Sequence, residues 1–283
     1  MQTVNSIQEL RAIIKAQRIA GKRIGFVPTM GNLHEGHITL VREGQKRADF
    51  MVSSVFVNPT QFGAGEDFDK YPRTLKEDQE KLSAAGCNLL FAPPVDEMYP
   101  GDQASWATVH VTKVGERHCG ASRPGHFDGV STVVTKLFNI VQPDVALFGK
   151  KDFQQLAVIR RMTTALCFGI EIIGVDTVRE ASGLAMSSRN GYLSAEEKQK
   201  AATIYQTLCR TREAIRSGEK NFAALEQTAN ATLAQAGFQP EYFTVCRADT
   251  LEPAGASDKN LVILVAAKMG KTRLIDNIDF VTA

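Results

Sequence analysis

Five cysteines in 283 residues, an odd number with no CxxC pair, give this chain neither a disulfide framework nor a zinc knuckle. Cys87, Cys119, Cys167, Cys209 and Cys246 are widely scattered, which fits reduced thiols in a cytoplasm. An excess of charge of one sign is also missing. The formal net charge of +2 offers no electrostatic footprint for nucleic acid or an anionic membrane. The longest apolar runs, such as residues 261–267, are far too short to span a bilayer. Met1-Gln2-Thr3-Val4-Asn5 is not a basic segment followed by an apolar one, so no secretory signal is expected. Repeats and low-complexity segments are absent. What remains is ordinary globular composition, 43% hydrophobic and 23% charged, in a chain long enough for one large domain or two ordinary ones.

The stretch Pro28-Thr29-Met30-Gly31-Asn32-Leu33-His34-Glu35-Gly36-His37 organises the rest. The apolar run 24–27 before it reads as a buried strand, and Ile38-Thr39-Leu40-Val41-Arg42 after it as the first turns of a helix. Proline has no N–H to give a neighbour, so strand pairing is expected to stop at Pro28. Gly31 and Gly36 permit turns and close backbone approach. Strand, glycine turn and helix N-terminus in this order offer unpaired N–H groups and a helix dipole to a phosphate. His34 and His37, three residues apart, share one face of a helix that starts by Glu35, and both can donate to phosphate oxygens. The same spacing suits a zinc pair or two surface histidines, and these alternatives stay open at this point.

Further along, Ser6 and Glu9 make a capping box for an opening helix that Gly21 ends. Residues 50–57 read as a central parallel strand ending at Asn58-Pro59-Thr60-Gln61-Phe62. Asn58 and Gln61 then lie beyond the carboxyl end of a strand, where open α/β sheets bind ligands; a plain Asn-Pro turn is the alternative. Residues 63–67 form a polar, glycine-containing loop, and a charged helix over 75–85 precedes a short buried strand over 87–92. Residues 106–111 are expected as another strand. Arg123 and His126 stand in a glycine and proline loop before an apolar helix over 130–141, a place that can hold an anion. A strand over 145–148 runs into Gly149-Lys150-Lys151-Asp152-Phe153-Gln154-Gln155, a second strand–glycine–helix junction, now with two lysines able to meet a phosphate. Met186-Ser187-Ser188-Arg189-Asn190 offers two hydroxyls and a guanidinium.

After Ser194 the pattern changes. One helix is expected over 194–217 and another over 222–236. Three β-prone runs follow, 242–247, 261–267 and 272–280, with short connections that favour an antiparallel sheet. The chain therefore reads as α/β: a Rossmann-like parallel-sheet domain over 1–178 and a smaller α+β domain over 179–283. The Met186–Arg189 loop stands at the hinge, where it can close over the first domain's site.

Taken together, the histidine turn, Phe56-Val57-Asn58-Pro59-Thr60-Gln61-Phe62, Tyr71-Pro72-Arg73-Thr74, Ser122-Arg123-Pro124-Gly125-His126-Phe127, Lys151-Asp152-Phe153-Gln154-Gln155 and Met186-Ser187-Ser188-Arg189-Asn190 resemble the pantothenate synthetase (pantoate–β-alanine ligase) family over nearly the whole chain. The histidine turn also resembles the HxGH signature of the wider adenylate-forming nucleotidyltransferases. The resemblance implies an AMP-forming ligase of pantothenate biosynthesis, cytoplasmic and homodimeric. In it the carboxylate of (R)-pantoate attacks the α-phosphate of Mg²⁺-bound ATP, and the amine of β-alanine then takes the acyl group from the pantoyl adenylate. It assigns ATP to Met30, Gly31, Asn32, Leu33, His34, Glu35, Gly36 and His37, to Gly149, Lys150, Lys151 and Asp152, to Val178, and to Met186, Ser187, Ser188 and Arg189. His37, His34, Lys151 and Arg189 act on the phosphates. Gln61 and Gln155 hold pantoate with Asn58 as a further polar contact, and Gln61 also meets β-alanine. No protein metal ligand is implied, Mg²⁺ arriving on the nucleotide. Positioning and charge stabilisation suffice for both steps, which suits a set of His, Lys, Arg, Asn and Gln with no Ser–His–Asp triad. The family has Glu where this chain has Lys150, which is expected to face solvent. Rival readings are a zinc hydrolase using His34, His37 and His118 or His126, a nucleotide-binding regulator, and a cytidylyltransferase. An aminoacyl-tRNA synthetase would need a basic RNA-binding face that is not evident.

Overall fold

The computed structural model describes residues 1–102 and 105–282. It divides into two compact units: Met1–Gly149 with Val158–Asp176, and Lys150–Ala157 with Thr177–Ala283.

The first unit is built on a parallel sheet of β1 (Gln2–Val4), β2 (Ile24–Thr29), β3 (Phe50–Val55), β4 (Leu89–Phe91), β5 (Val145–Gly149) and β6 (Glu171–Val175), in the spatial order β1-β4-β3-β2-β5-β6. The strands are continuous apolar runs because helices cover both faces of such a sheet. The principal helices are α1 (Ile7–Ile19), α2 (Glu35–Gln45), α3 (Leu75–Ala84), α6 (His126–Val141) and α7 (Phe153–Ala165), whose residues from Val158 onward belong to this unit. The short α4 (Val95–Met98) and α5 (Cys119–Ser122) complete the series. Val27, Leu33, Val41, Met51, Leu82 and Leu147 are among the residues of one buried cluster beneath the histidine turn. Strand order reverses between β2 and β5. In an open parallel sheet the crevice at such a reversal, outside the strand carboxyl ends, is where ligands bind. The histidine turn follows β2, Asn58 and Gln61 follow β3, and Gly149 ends β5.

Pro28 does not end its strand. It pairs in register with Ser54, inside β2. What stops is pairing on the other side, where β2 meets β5 only at Gly25 and Phe26. Alternate backbone groups of a strand point to opposite neighbours. Thr29 O accepts from Phe56 N on the β3 side, so the missing N–H of Pro28 falls on the side where β5 pairing has already ended.

Residues 106–111 are not a strand. Val109 N donates to Thr132 Oγ1 at 2.9 Å, and Val109 O accepts from Ser131 Oγ. Side chains of α6 thus satisfy the backbone that a neighbouring strand would have taken. The three-residue β1, paired only with β4, was too short to show a period in the sequence.

The second unit carries an antiparallel sheet, β7 (Gln239–Arg247), β8 (Asn260–Met269) and β9 (Thr272–Val281), in that order, with α8 (Ala195–Ala201), α9 (Thr203–Arg216) and α10 (Phe222–Gln235). Its core includes Leu208, Leu233, Phe243, Ile263, Val265 and Phe280. The Ser194–Glu197 capping box opens α8 as expected. The single helix expected over 194–217 is interrupted at Ala202, which keeps helical dihedrals (φ −61, ψ −21), so neither Gly nor Pro announces the break.

Candidate active site

In the first unit, α2 begins at Glu35 with His34 as its N-cap. His34 Nδ1 accepts from Gly36 N at 3.2 Å, and His37 Nδ1 accepts from His34 N at 3.3 Å. Each imidazole thus caps the helix start through the same nitrogen. A neutral ring whose Nδ1 accepts carries its proton on Nε2, so the caps set the tautomer of both rings. Their centroids are 4.1 Å apart, and the pair forms one double donor at the positive end of α2.

The turn before it does not offer its amides to a ligand as the sequence suggested. Asn32 N and Leu33 N donate to the carboxylate of Asp78 at 2.9 and 2.7 Å, and Gly31 N donates to Thr29 Oγ1 at 3.2 Å. Asp78 is fully buried on α3, and Lys81, one turn on, donates to Leu33 O at 2.6 Å. One face of α3 therefore grips both the N–H and the C=O groups of the turn. Gly31 has φ +85, which a side chain would strain, and a Cβ there would press on Asp78 and Val55 at 3.0 Å. The sequence marks Asp78 and Lys81 only as members of a charged helix. Their partners lie more than forty positions away, beyond any local signal.

Behind β3, Asn58 is 1% exposed and engaged on every side. Its Nδ2 donates to Gln61 Oε1 at 3.0 Å and to Gly129 O at 3.1 Å. Its Oδ1 accepts from Tyr99 Oη at 3.0 Å and Thr60 Oγ1 at 2.9 Å. Asn58, expected as a polar contact for a ligand, makes these four bonds within the protein, one of which orients Gln61. With Oε1 held, Gln61 presents Nε2 as a donor beside Met30 Sδ, 3.1 Å away. Burial pushes the Tyr99 phenol up, against the lowering effect of Thr60, which keeps the phenol a donor to Asn58. A Cβ on Gly129 would lie 2.3 Å from Thr60 O, so this glycine allows α6 to approach the Thr60–Gln61 backbone.

Arg123 already holds an anion of the protein itself. Its Nε and Nη2 donate to the two carboxylate oxygens of Glu66, each at 2.6 Å. Burial raises the Glu66 carboxyl, but the bonded guanidinium outweighs it and the net position is below the usual range. His126 Nδ1 donates to Gln61 O at 2.8 Å, while its Nε2 faces Arg123 Nη1 at 2.9 Å. A guanidinium thus sits where the zinc reading would put a metal on His126.

In the second unit, Lys150–Asp152 form a 3-10 turn from which α7 departs, with Gln155 in the first helical turn. Lys151 Nζ is 3.6 Å from Asp152 Oδ2. Lys150 was expected to face solvent; it is instead paired with Asp279 at 3.0 Å. Val178 O accepts from Met186 N at 2.9 Å, and Arg179 bridges Ala185, so the Val178 and Met186–Arg189 segments form one hairpin. Ser187 Oγ caps the following 3-10 turn by accepting from Arg189 N at 3.2 Å, and Asn190 Nδ2 ties that turn to Ala185 O and Glu180.

Residues 2–279 match the family model described as pantoate-beta-alanine ligase. The pantothenate synthetases of Pseudomonas fluorescens (strain Pf0-1) and Pseudomonas putida (strain W619) are 59% and 60% identical to the chain over 278 residues, in each case 98% of this chain and 97% of the relative. The solved pantothenate synthetase from Thermus thermophilus superposes with a TM-score of 0.92 at 44% identity, covering 99% of both chains. A pantoate-beta-alanine ligase from Francisella tularensis, crystallised with beta-gamma ATP and beta-alanine, gives a TM-score of 0.81 at 32% identity over 99% of this chain and 97% of its own. The chain belongs to the pantoate-beta-alanine ligase family. It is an enzyme, and its Rossmann-like parallel sheet with a smaller antiparallel-sheet domain is the pantothenate synthetase fold. Among the described residues no helix is long and apolar enough to cross a membrane. Within this family frame, sequence reading overlooked Asp78, Tyr99, Gly129 and Asn277, whose Nδ2 donates to Lys150 O and Lys151 O. All four act on backbone or on another side chain, and nothing in a local motif marks that work.

Proposed function

We propose that the protein condenses (R)-pantoate with β-alanine to pantothenate at the expense of ATP, through a pantoyl adenylate, releasing AMP and pyrophosphate. The observation that carries the reading is the histidine pair. Two imidazoles, each fixed by main-chain bonds as an Nε2–H donor at a helix N-terminus, suit negative charge that grows on a phosphate during attack at the α-phosphorus. His37 and His34 are assigned to the phosphates, with Lys151 as a point charge and Arg189 as a planar clamp aided by Ser187 and Ser188. Met30–His37, Gly149–Asp152, Val178 and Met186–Arg189 are assigned to the nucleotide. Gln61 and Gln155 are assigned to pantoate and Gln61 to β-alanine, with Asn58 orienting Gln61. Mg²⁺ enters as part of the nucleotide substrate. A cytoplasmic homodimer, implied by the sequence resemblance, is part of the same proposal.

Neither step needs a covalent protein nucleophile. The pantoate carboxylate forms the P–O bond while the bond to pyrophosphate breaks; the amine of β-alanine then forms the amide as AMP leaves. Holding the reacting groups in line supplies much of the acceleration, and the fixed donors supply the rest. The test is product analysis with Mg·ATP and (R)-pantoate, with and without β-alanine. Pantoate-dependent exchange of pyrophosphate into ATP without β-alanine, and AMP on turnover only with both organic substrates, are expected. Absence of AMP under every condition overturns the ligase reading.

A further inference from the structure

We propose that Asn277, on β9, is a positioning residue for Lys151. The inference deepens the reading above and rests on Lys151 being a phosphate contact. Asn277 is 4% exposed, and its Nδ2 donates to two consecutive carbonyls, Lys150 O and Lys151 O, at 2.8 Å each. An amide nitrogen has two protons, and both are engaged here. The two carbonyls belong to the 3-10 turn from which the Lys151 side chain leaves. A planar amide that holds both fixes the orientation of two successive peptide units, and with them the Cα–Cβ direction of Lys151.

The same strand holds a second segment. Asp276, the preceding residue, takes both Arg179 Nη1 and Nη2 on its carboxylate at 2.6 and 2.9 Å, and also accepts from Asn277 N at 2.8 Å. Arg179 lies 3.7 Å over the Tyr205 ring and pairs with Ala185 in the hairpin that carries Met186. Alternation along β9 puts Asp276 on the side of Leu274, Ile278 and Phe280, which belong to or pack on this unit's core, and Asn277 on the opposite side. Two adjacent residues of one strand thus set two segments. The other buried residues of β9 are apolar apart from Thr272, so the adjacent Asp276 and Asn277 are the strand's buried polar pair. A buried donor that grips the turn bearing a phosphate lysine is what accurate placement of that lysine needs.

The experiment is a double-mutant cycle on the full chain with Asn277→Ala, Lys151→Ala and both together. It reads the Kd of Mg·ATP by calorimetry, the KM of ATP and of pantoate in pyrophosphate exchange, and the unfolding midpoint. Asn277→Ala is expected to weaken ATP about tenfold, with the KM of pantoate within about twofold of wild type. Added to Lys151→Ala, it is expected to change ATP affinity less than about twofold, because the lysine it positions is gone. Asn277→Ser, which keeps one donor, should recover part of the loss and replaces Ala in the cycle if that variant does not fold. Additive losses of ATP affinity, or equal losses for ATP and pantoate, overturn the proposal. Wild-type protein that neither binds ATP nor exchanges pyrophosphate overturns the ligase reading and this inference with it. Wild type that does both while the Asn277 variants match it overturns this inference alone.

Discussion

Lys150 Nζ lies 3.0 Å from the carboxylate of Asp279, two positions along β9 from Asn277. The resemblance read from sequence implies Glu at position 150, which makes Lys150→Glu the informative exchange. Lys150→Glu would set two carboxylates side by side at a site where the side chains are 25% and 37% exposed. Solvent screens such a pair, so the expected loss is about 1 kcal/mol of unfolding free energy, with ATP affinity changed less than about threefold. Adding Asp279→Lys should restore the stability by reversing the pair. Denaturant melts of the four proteins read the coupling directly. A large change in ATP affinity without a change in stability would mean that the Lys150 side chain, and not only the backbone of its segment, meets the nucleotide.

His34 caps α2 and is proposed to meet the phosphates, and one substitution separates the two roles. Asparagine is a favoured N-cap, so His34→Asn keeps an acceptor for the first amides of α2 while removing the imidazole. Stability is expected to stay within about 1 kcal/mol of wild type. Turnover should fall roughly a hundredfold or more, the usual consequence of losing one preorganised donor. Pre-steady-state pyrophosphate release is the appropriate measurement, since it isolates the adenylation step. Unchanged turnover would leave His34 with only a capping role.

Asp78→Asn tests the grip of α3 on the histidine turn. The buried carboxylate accepts from two main-chain amides and from Thr74 Oγ1 at 3.3 Å. An amide has one acceptor oxygen, and its NH₂ would face a donor. Hydrogen bonds to buried charged groups are worth about 1.5–3 kcal/mol each, so a loss of about 3 kcal/mol is expected by denaturant titration. Turnover should drop with it, because Asn32 and Leu33 lead directly into the His34 cap. Equal stability of the variant and wild type would mean that the turn holds itself.

The parts of this fold that could be read from sequence are those where one residue's chemistry acts on its neighbours. Ser194 with Glu197, the continuous apolar strands and the tight connection between the last two strands all signal locally, and the structure has each of them. The helix after the histidine turn is equally local, but it begins at Glu35, ahead of Ile38 where its apolar pattern starts, because the cap is made by histidine rather than by a usual capping residue. What stayed hidden depends on distant partners. Asp78 reaches back to Asn32 and Leu33, Gly129 makes room for Thr60, and Asn277 reaches Lys150 and Lys151 across more than a hundred positions. Pro28 misled for a related reason. Its missing N–H matters only on one side of the strand, and the sequence does not say which side has a neighbour. Residues 106–111 have the composition of a strand, yet Ser131 and Thr132 on α6 answered their backbone first.

The Glu66–Arg123 pair gives the Gln61 region an acid limit. The folded value of the Glu66 carboxyl is lowered from its ordinary 4.5, so the pair's contribution is present above that value. It is lost as pH falls through the lower folded value, because the native state then binds the proton it had resisted. Arg123 also faces His126 Nε2, and His126 Nδ1 holds Gln61 O, so release of Glu66 reaches the backbone of a proposed substrate residue. Glu66→Gln should therefore destabilise the protein by about 1 kcal/mol at neutral pH, a figure kept small because both side chains are partly solvated. The gap between wild type and variant should hold from pH 7 to about 5 and close on further acidification. Urea melts at several pH values give the stability gap, and the KM of pantoate for the two proteins at pH 7 gives the consequence for Gln61. A gap that widens on acidification would reverse the sign and show that Glu66 is held in its protonated form.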